Sequence, residues 1–122
     1  MDKVPPALAD RTFRFACDVV NLYRDLNRVP QFPYPLSKQF LRSGTSIGSN
    51  VEEARAAHSR KDLAAIHTTA LKEARETKFW LRLFIATKLA PQIRLGPALK
   101  ESDELCAILT VSVRHLRPSD DG

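Results

Sequence analysis

The chain is predicted to be all-α, a single domain folded as an antiparallel up-down-up-down four-helix bundle. Three observations carry this expectation. Apolar residues recur at helical spacing through four long segments. Prolines and capping residues fall between those segments. Only 4 glycines interrupt 122 residues rich in Ala, Leu, Arg, Lys and Glu, which are strong helix formers. A chain of this length buries roughly two-thirds of its unfolded surface, and 43% hydrophobic with 27% charged residues is a globular composition.

The first helix is expected from about Asp10 to Arg28. Phe13, Ala16, Val20, Tyr23 and Asn27 form its inward stripe, widened by Cys17, Val19 and Leu26. Pro30, Pro33 and Pro35 stop it and leave an extended VPQFPYP segment carrying Phe32 and Tyr34. The second helix starts near Leu36 or Ser37 and runs to about Ala57, with Leu36, Phe40, Ile47, Val51, Ala54 and His58 in one narrow arc. Gly44 and Gly48 lie inside it. Each costs about 1 kcal/mol relative to Ala, so either a neighbouring helix approaches closely there or the backbone is irregular.

Ser59, with Asp62 three residues on, is a capping-box pattern that starts the third helix at Arg60. It runs to about Leu89, roughly 40 Å, with Leu63, Ile66, Ala70, Ala74, Thr77, Leu81 and Phe84 as its stripe; Pro91 ends it. Gly96-Pro97 opens the fourth helix, which continues to Leu116 with Leu105, Ile108, Leu109, Ser112 and Leu116 inward and Lys100–Glu104 paired outside. Residues 1–8 and 118–122 are expected to be loose ends.

Several chemistries lack their residues. His58, His67 and His115 are scattered, Cys17 and Cys106 are far apart, and no Glu-x-x-His, HExxH, GxGxxG or Walker pattern occurs. No metal, cofactor or catalytic site is therefore expected, and the protein is not expected to be an enzyme. No apolar run is long enough to span a bilayer and the first residues lack a signal peptide's apolar core, which points to the cytoplasm. A net charge of +5 and a pI near 9.6 suit RNA, DNA or another acidic surface.

The third helix carries the sharpest functional pattern. With Arg75 as origin, Lys61, Lys72, Lys78 and Arg82 all fall within about 60° of it. These five cations are either an ordinary solvated face or a strip for phosphates without aromatic interleaving. Glu73 and Trp80 share one flank of the apolar stripe; a half-buried Glu73 needs donors, for which Asn50 and Arg55 are the candidates. Phe32, Tyr34, Phe79 and Leu83 fall outside the four inward stripes and are candidate oligomer contacts.

The run PLSKQFLRSGTSIGSNV, ending at Val51, resembles the second helix of a bacterial four-helix-bundle family, the S23 or 23S rRNA intervening-sequence proteins. ALKEARETKFWLRLF, Ala70 to Phe84, resembles that family's third helix through Lys72-Glu73, Glu76-Thr77 and Trp80-Leu81. Leu99 to Leu109, with Glu101, Glu104 and Leu105, is similar to its fourth. One departure is Val51-Glu52-Glu53-Ala54, where many members carry an Ala-Glu-Gly turn. The resemblance implies a left-turning bundle assembled into a ring-shaped homopentamer, with no enzymatic residues to carry over. It also implies a gene context linked in some bacteria to insertions in large-subunit ribosomal RNA genes. A related branch is similar to the accessory subunit of diversity-generating retroelements, which binds nucleic acid and a reverse transcriptase.

Overall fold

Prolines and a serine cap divide the chain where the sequence predicts. In a computed structural model that describes residues 6–117, four helices follow one another: α1 (Pro6–Asn27), α2 (Tyr34–Ala54), α3 (Arg60–Ala86) and α4 (Gln92–Leu116). There is no strand among the described residues. Each helix packs against the next in sequence, whereas α1 and α4 touch more lightly. No described helix is long and apolar enough to cross a membrane.

The start of α1 differs from expectation. The helix is already formed at Pro6 and Leu8 is buried, so residues 6–8 are not loose; residues 1–5 and 118–122 lie outside the described residues. Its buried face is Leu8, Thr12, Phe15, Val19, Leu22 and Leu26, one position off the predicted stripe, and Phe13 is 67% exposed. The cause is that α1 carries two adjacent stripes, both spaced by threes and fours, and periodicity alone does not choose between them. Burial of Leu8 extends only one of them.

α2 is regular throughout, and neither of its glycines has a positive φ. Its glycines mark close approach to α1. A Cβ on Gly44 would lie 2.6 Å from Val19 Cγ2, and one on Gly48 would lie 3.0 Å from the Thr12 carbonyl oxygen. Phe40, Ile47, Val51 and Ala54 are buried as predicted, but the helix ends at Ala54 and His58 is exposed. On the side facing α3, the buried hydroxyls of Thr77 and Ser43 meet at 3.0 Å.

α3 begins at Arg60 as expected. The Ser59 hydroxyl accepts from the Asp62 N–H at 3.0 Å, and the Asp62 carboxylate accepts from the His58 N–H at 3.0 Å. Leu63, Ala70, Ala74, Thr77, Leu81 and Phe84 are buried as read, joined by His67 and Leu71. The helix stops at Ala86, because Lys88 turns the chain with φ 58, the left-handed geometry common just past a helix end.

α4 begins at Gln92, not at Gly96-Pro97, so Pro97 lies inside the helix. The missing N–H deprives the Ile93 carbonyl of a helical donor, and Ile93 is 89% exposed, where water can serve. Meanwhile Leu95, Ala98, Ser102, Leu105, Leu109, Val113 and Leu116 form an unbroken buried stripe across the proline. Glu104 does not serve Lys100; it joins Glu101 in holding Arg11 of α1. That clamp, with Glu101 held below the usual carboxylate range by the Arg11 hydrogen bond, bridges α1 to α4.

The close α1–α2 contact makes a prediction. Gly44→Ala should destabilise the protein by about 1–3 kcal/mol through overpacking, although alanine is the better helix former. The loss should shrink in a Val19→Ala background, measured as a double-mutant cycle by urea unfolding. Equal losses in both backgrounds would remove the contact from the explanation.

Candidate nucleic-acid interface

The outward face of α3 is bordered on both flanks by ion pairs. On one flank Arg42 of α2 reaches across: its Nη1 donates to Glu73 Oε2 at 2.8 Å, and its Nη2 to Glu76. The Trp80 indole N–H also donates to Glu76 Oε2, at 3.0 Å. On the other flank Lys78 Nζ lies 2.6 Å from Asp103 Oδ1 of α4. Carboxylates are thus committed on both sides of the face that burial of Leu63, Ala70, Leu81 and Phe84 leaves outward.

What remains outward is basic. Lys61, Lys72, Arg75 and Arg82 are exposed and make no hydrogen bond or ion pair with another side chain among the described residues. Lys78, the fifth cation of the predicted strip, is spent on Asp103 and does not share that freedom. Phe79 stands within this face, 53% exposed and about 40° round the helix from Arg75. The strip therefore does carry an aromatic ring, contrary to the sequence-based expectation, which assigned Phe79 only to an oligomer contact.

Residues 7–111 match the model of the 23S rRNA-intervening sequence protein family. The chain belongs to that family. A solved structure from Bacteroides thetaiotaomicron VPI-5482, described as a protein of unknown function from the S23 ribosomal protein family, is 39% identical. The similarity covers 87% of this chain and 97% of that one, with a TM-score of 0.80. No curated protein matches.

In this family member the polar partners foreseen for Glu73 are elsewhere. Asn50 Nδ2 donates to the Ser46 carbonyl within α2 at 2.7 Å, and Arg55, just past the end of α2, pairs with Glu52 at 3.3 Å. Arg42, two turns before Asn50, is the donor that sequence reading missed. Two carboxylates one turn apart, Glu73 and Glu76, were the available signal for a forked guanidinium partner.

The candidate oligomer contacts also separate. Phe32 is turned in, its ring edge-on to the buried Phe84 at 5.0 Å, and Leu83 is half-buried. Tyr34 is 55% exposed, and the hydrogen bond between its hydroxyl and the Tyr23 side chain pushes its phenol above the ordinary value. Tyr23 ends the second α1 stripe, so Phe13, Cys17, Val20, Tyr23 and Tyr34 make an apolar band that the inward assignment of Phe13 had concealed.

His67 and Glu73 do not converge: Glu73 faces α2, whereas His67 Nδ1 lies 2.5 Å from Ser112 Oγ of α4. His67 is 2% exposed, its Nε2 has no hydrogen-bond partner among the described residues, and burial pushes its pKa below 6.5. The sign of the linkage follows. The unfolded chain binds the proton more readily, so His67 leaves stability intact above pH 6.5 and erodes it as pH falls below that value. In urea unfolding series from pH ~7 down to ~5, wild type should lose more stability than His67→Gln. Parallel curves would show that His67 does not titrate differently on folding.

Proposed function

We propose that this chain is a non-enzymatic, oligomeric nucleic-acid-binding adaptor of the cytoplasm, acting through the outward face of α3. The observation that carries it is the freedom of Lys61, Lys72, Arg75 and Arg82 beside carboxylates already neutralised by Arg42 and Lys78. Free cations on one rigid helix face can displace counterions from a phosphate backbone without breaking protein ion pairs. The family's name, which refers to an intervening sequence of 23S rRNA, fits a polyanionic partner.

The short connections between successively packed helices fit an up-down-up-down bundle. The band from Phe13 to Tyr34 is the surface on which such bundles would join. A homopentameric ring, which the family resemblance implies, needs two different patches meeting head to tail. It would set several α3 faces in one assembly and raise weak single contacts by avidity.

A second role has its own support. Phe13 and Tyr34, 67% and 55% exposed, would suit a protein partner in a purely structural interaction module without nucleic acid. Capture of a polypeptide that survives nuclease treatment, with no binding to RNA or DNA, would favour that role.

Filter binding across a salt series tests the proposal. Changing Lys72, Arg75 and Arg82 together to Gln should leave the thermal melt in place and weaken binding to RNA and DNA. Each lost phosphate contact should lower the salt slope by about 0.7–0.9. Binding that is absent at low salt, or indifferent to salt, would contradict it. Light scattering should return the mass of a homopentamer; a monomer mass would remove the ring.

A further inference from the structure

We infer that the outward face of α3 takes single-stranded RNA, with Phe79 as the platform on which one unpaired base stacks. This rests on the nucleic-acid role proposed above and adds to it the strandedness of the partner and the contact to the base.

Phe79 is an exception on its helix. Leu63, Leu71, Leu81 and Phe84 are buried, and Ile66, Trp80 and Ile85 pack against the core, yet Phe79 is 53% exposed. Its ring is nonetheless held. It meets the Trp80 indole at 5.2 Å and 73°, and Trp80 stacks on the buried Phe84 at 6.5 Å and 24°. The indole N–H is in turn fixed by Glu76. A ladder of aromatic rings anchored in the core thus presents an ordered phenyl group to solvent.

The cations lie where a strand's phosphates would pass. Arg75 precedes Phe79 by one turn, Arg82 follows by just under one, and Lys72 stands two turns before. Along the axis these offsets are roughly 6, 4.5 and 10 Å. A strand running along α3 can therefore rest its backbone on the three side chains while one base covers the ring, the combination of cationic track and aromatic face used by single-strand binders. A duplex keeps its base faces inside the stack and leaves Phe79 nothing to meet. RNA is the favoured strand because its loops and bulges present splayed, unpaired bases. An apolar protein partner docking on Phe79 would instead bury Lys72, Arg75 and Arg82 without counter-charge.

Fluorescence anisotropy of the full chain decides this, using labelled oligouridine, oligodeoxythymidine of the same length and an RNA duplex. Phe79→Leu keeps an apolar side chain and loses the aromatic face. It should weaken oligouridine binding about ten-fold and leave duplex binding and the salt slope unchanged, while Phe79→Trp should restore affinity. Unchanged oligouridine affinity for Phe79→Leu, or equal loss on the duplex, overturns the stacking contact; if the triple Gln variant still loses binding, the broader nucleic-acid role stands. Tighter binding to oligodeoxythymidine overturns the choice of RNA. A change in assembly mass for Phe79→Leu places the ring in a subunit contact and also overturns it. No binding of wild type to any probe removes both proposals.

Discussion

The absence of a side chain at Gly44 governs much of this molecule. Because nothing stands between its Cα and Val19, α1 and α2 come together closely, and Gly48 continues the contact against the Thr12 backbone. α2 then lies near enough to α3 for Ser43 to meet Thr77 in the interior and for Arg42 to span Glu73 and Glu76 at the edge. That forked pair, with Lys78–Asp103 on the opposite flank, borders the outward face of α3. Burial of Leu63, Ala70, Ala74, Leu81 and Phe84 sets the rotation that leaves this face out. Two glycines in one helix, unfavourable for that helix alone, thus serve the packing on which the next helix rests.

The sequence made some of this plain and hid the rest for physical reasons. α3 was legible because a local cap, Ser59 with Asp62, and a single unambiguous stripe agreed with each other. α1 was misphased because its two stripes are equally periodic, and only packing against Gly44 and Gly48 selects Val19 over Val20. The start of α4 was misplaced because a Gly-Pro pair is a good local start signal, yet burial of Leu95 outweighs it. Arg42 escaped notice since a long-range partner leaves no spacing rule, although the two carboxylates it serves were visible one turn apart. Phe79 could have been placed among the cations by helical angle alone; treating exposed aromatics as contact residues obscured it.

The same accounting shows why a basic chain need not be basic everywhere. Arg11 is occupied by Glu101 and Glu104, Arg42 by Glu73 and Glu76, Lys78 by Asp103, and Arg94 by Asp25. These pairs stitch α1 to α4, α2 to α3 and α3 to α4. At partly exposed sites each is worth little to stability by itself. Their larger effect is on the field: they remove charge from the seams, while Lys61, Lys72, Arg75 and Arg82 stay unpaired among the described residues along one face of α3.

The most direct measurement is ultraviolet cross-linking of the protein to single-stranded RNA, with the adducts located by mass spectrometry. Adducts on α3 peptides between Lys72 and Arg82, with Phe79 modified, are the expected result. Adducts confined to the α1 band around Phe13 and Tyr23, with α3 unmodified, would contradict the account.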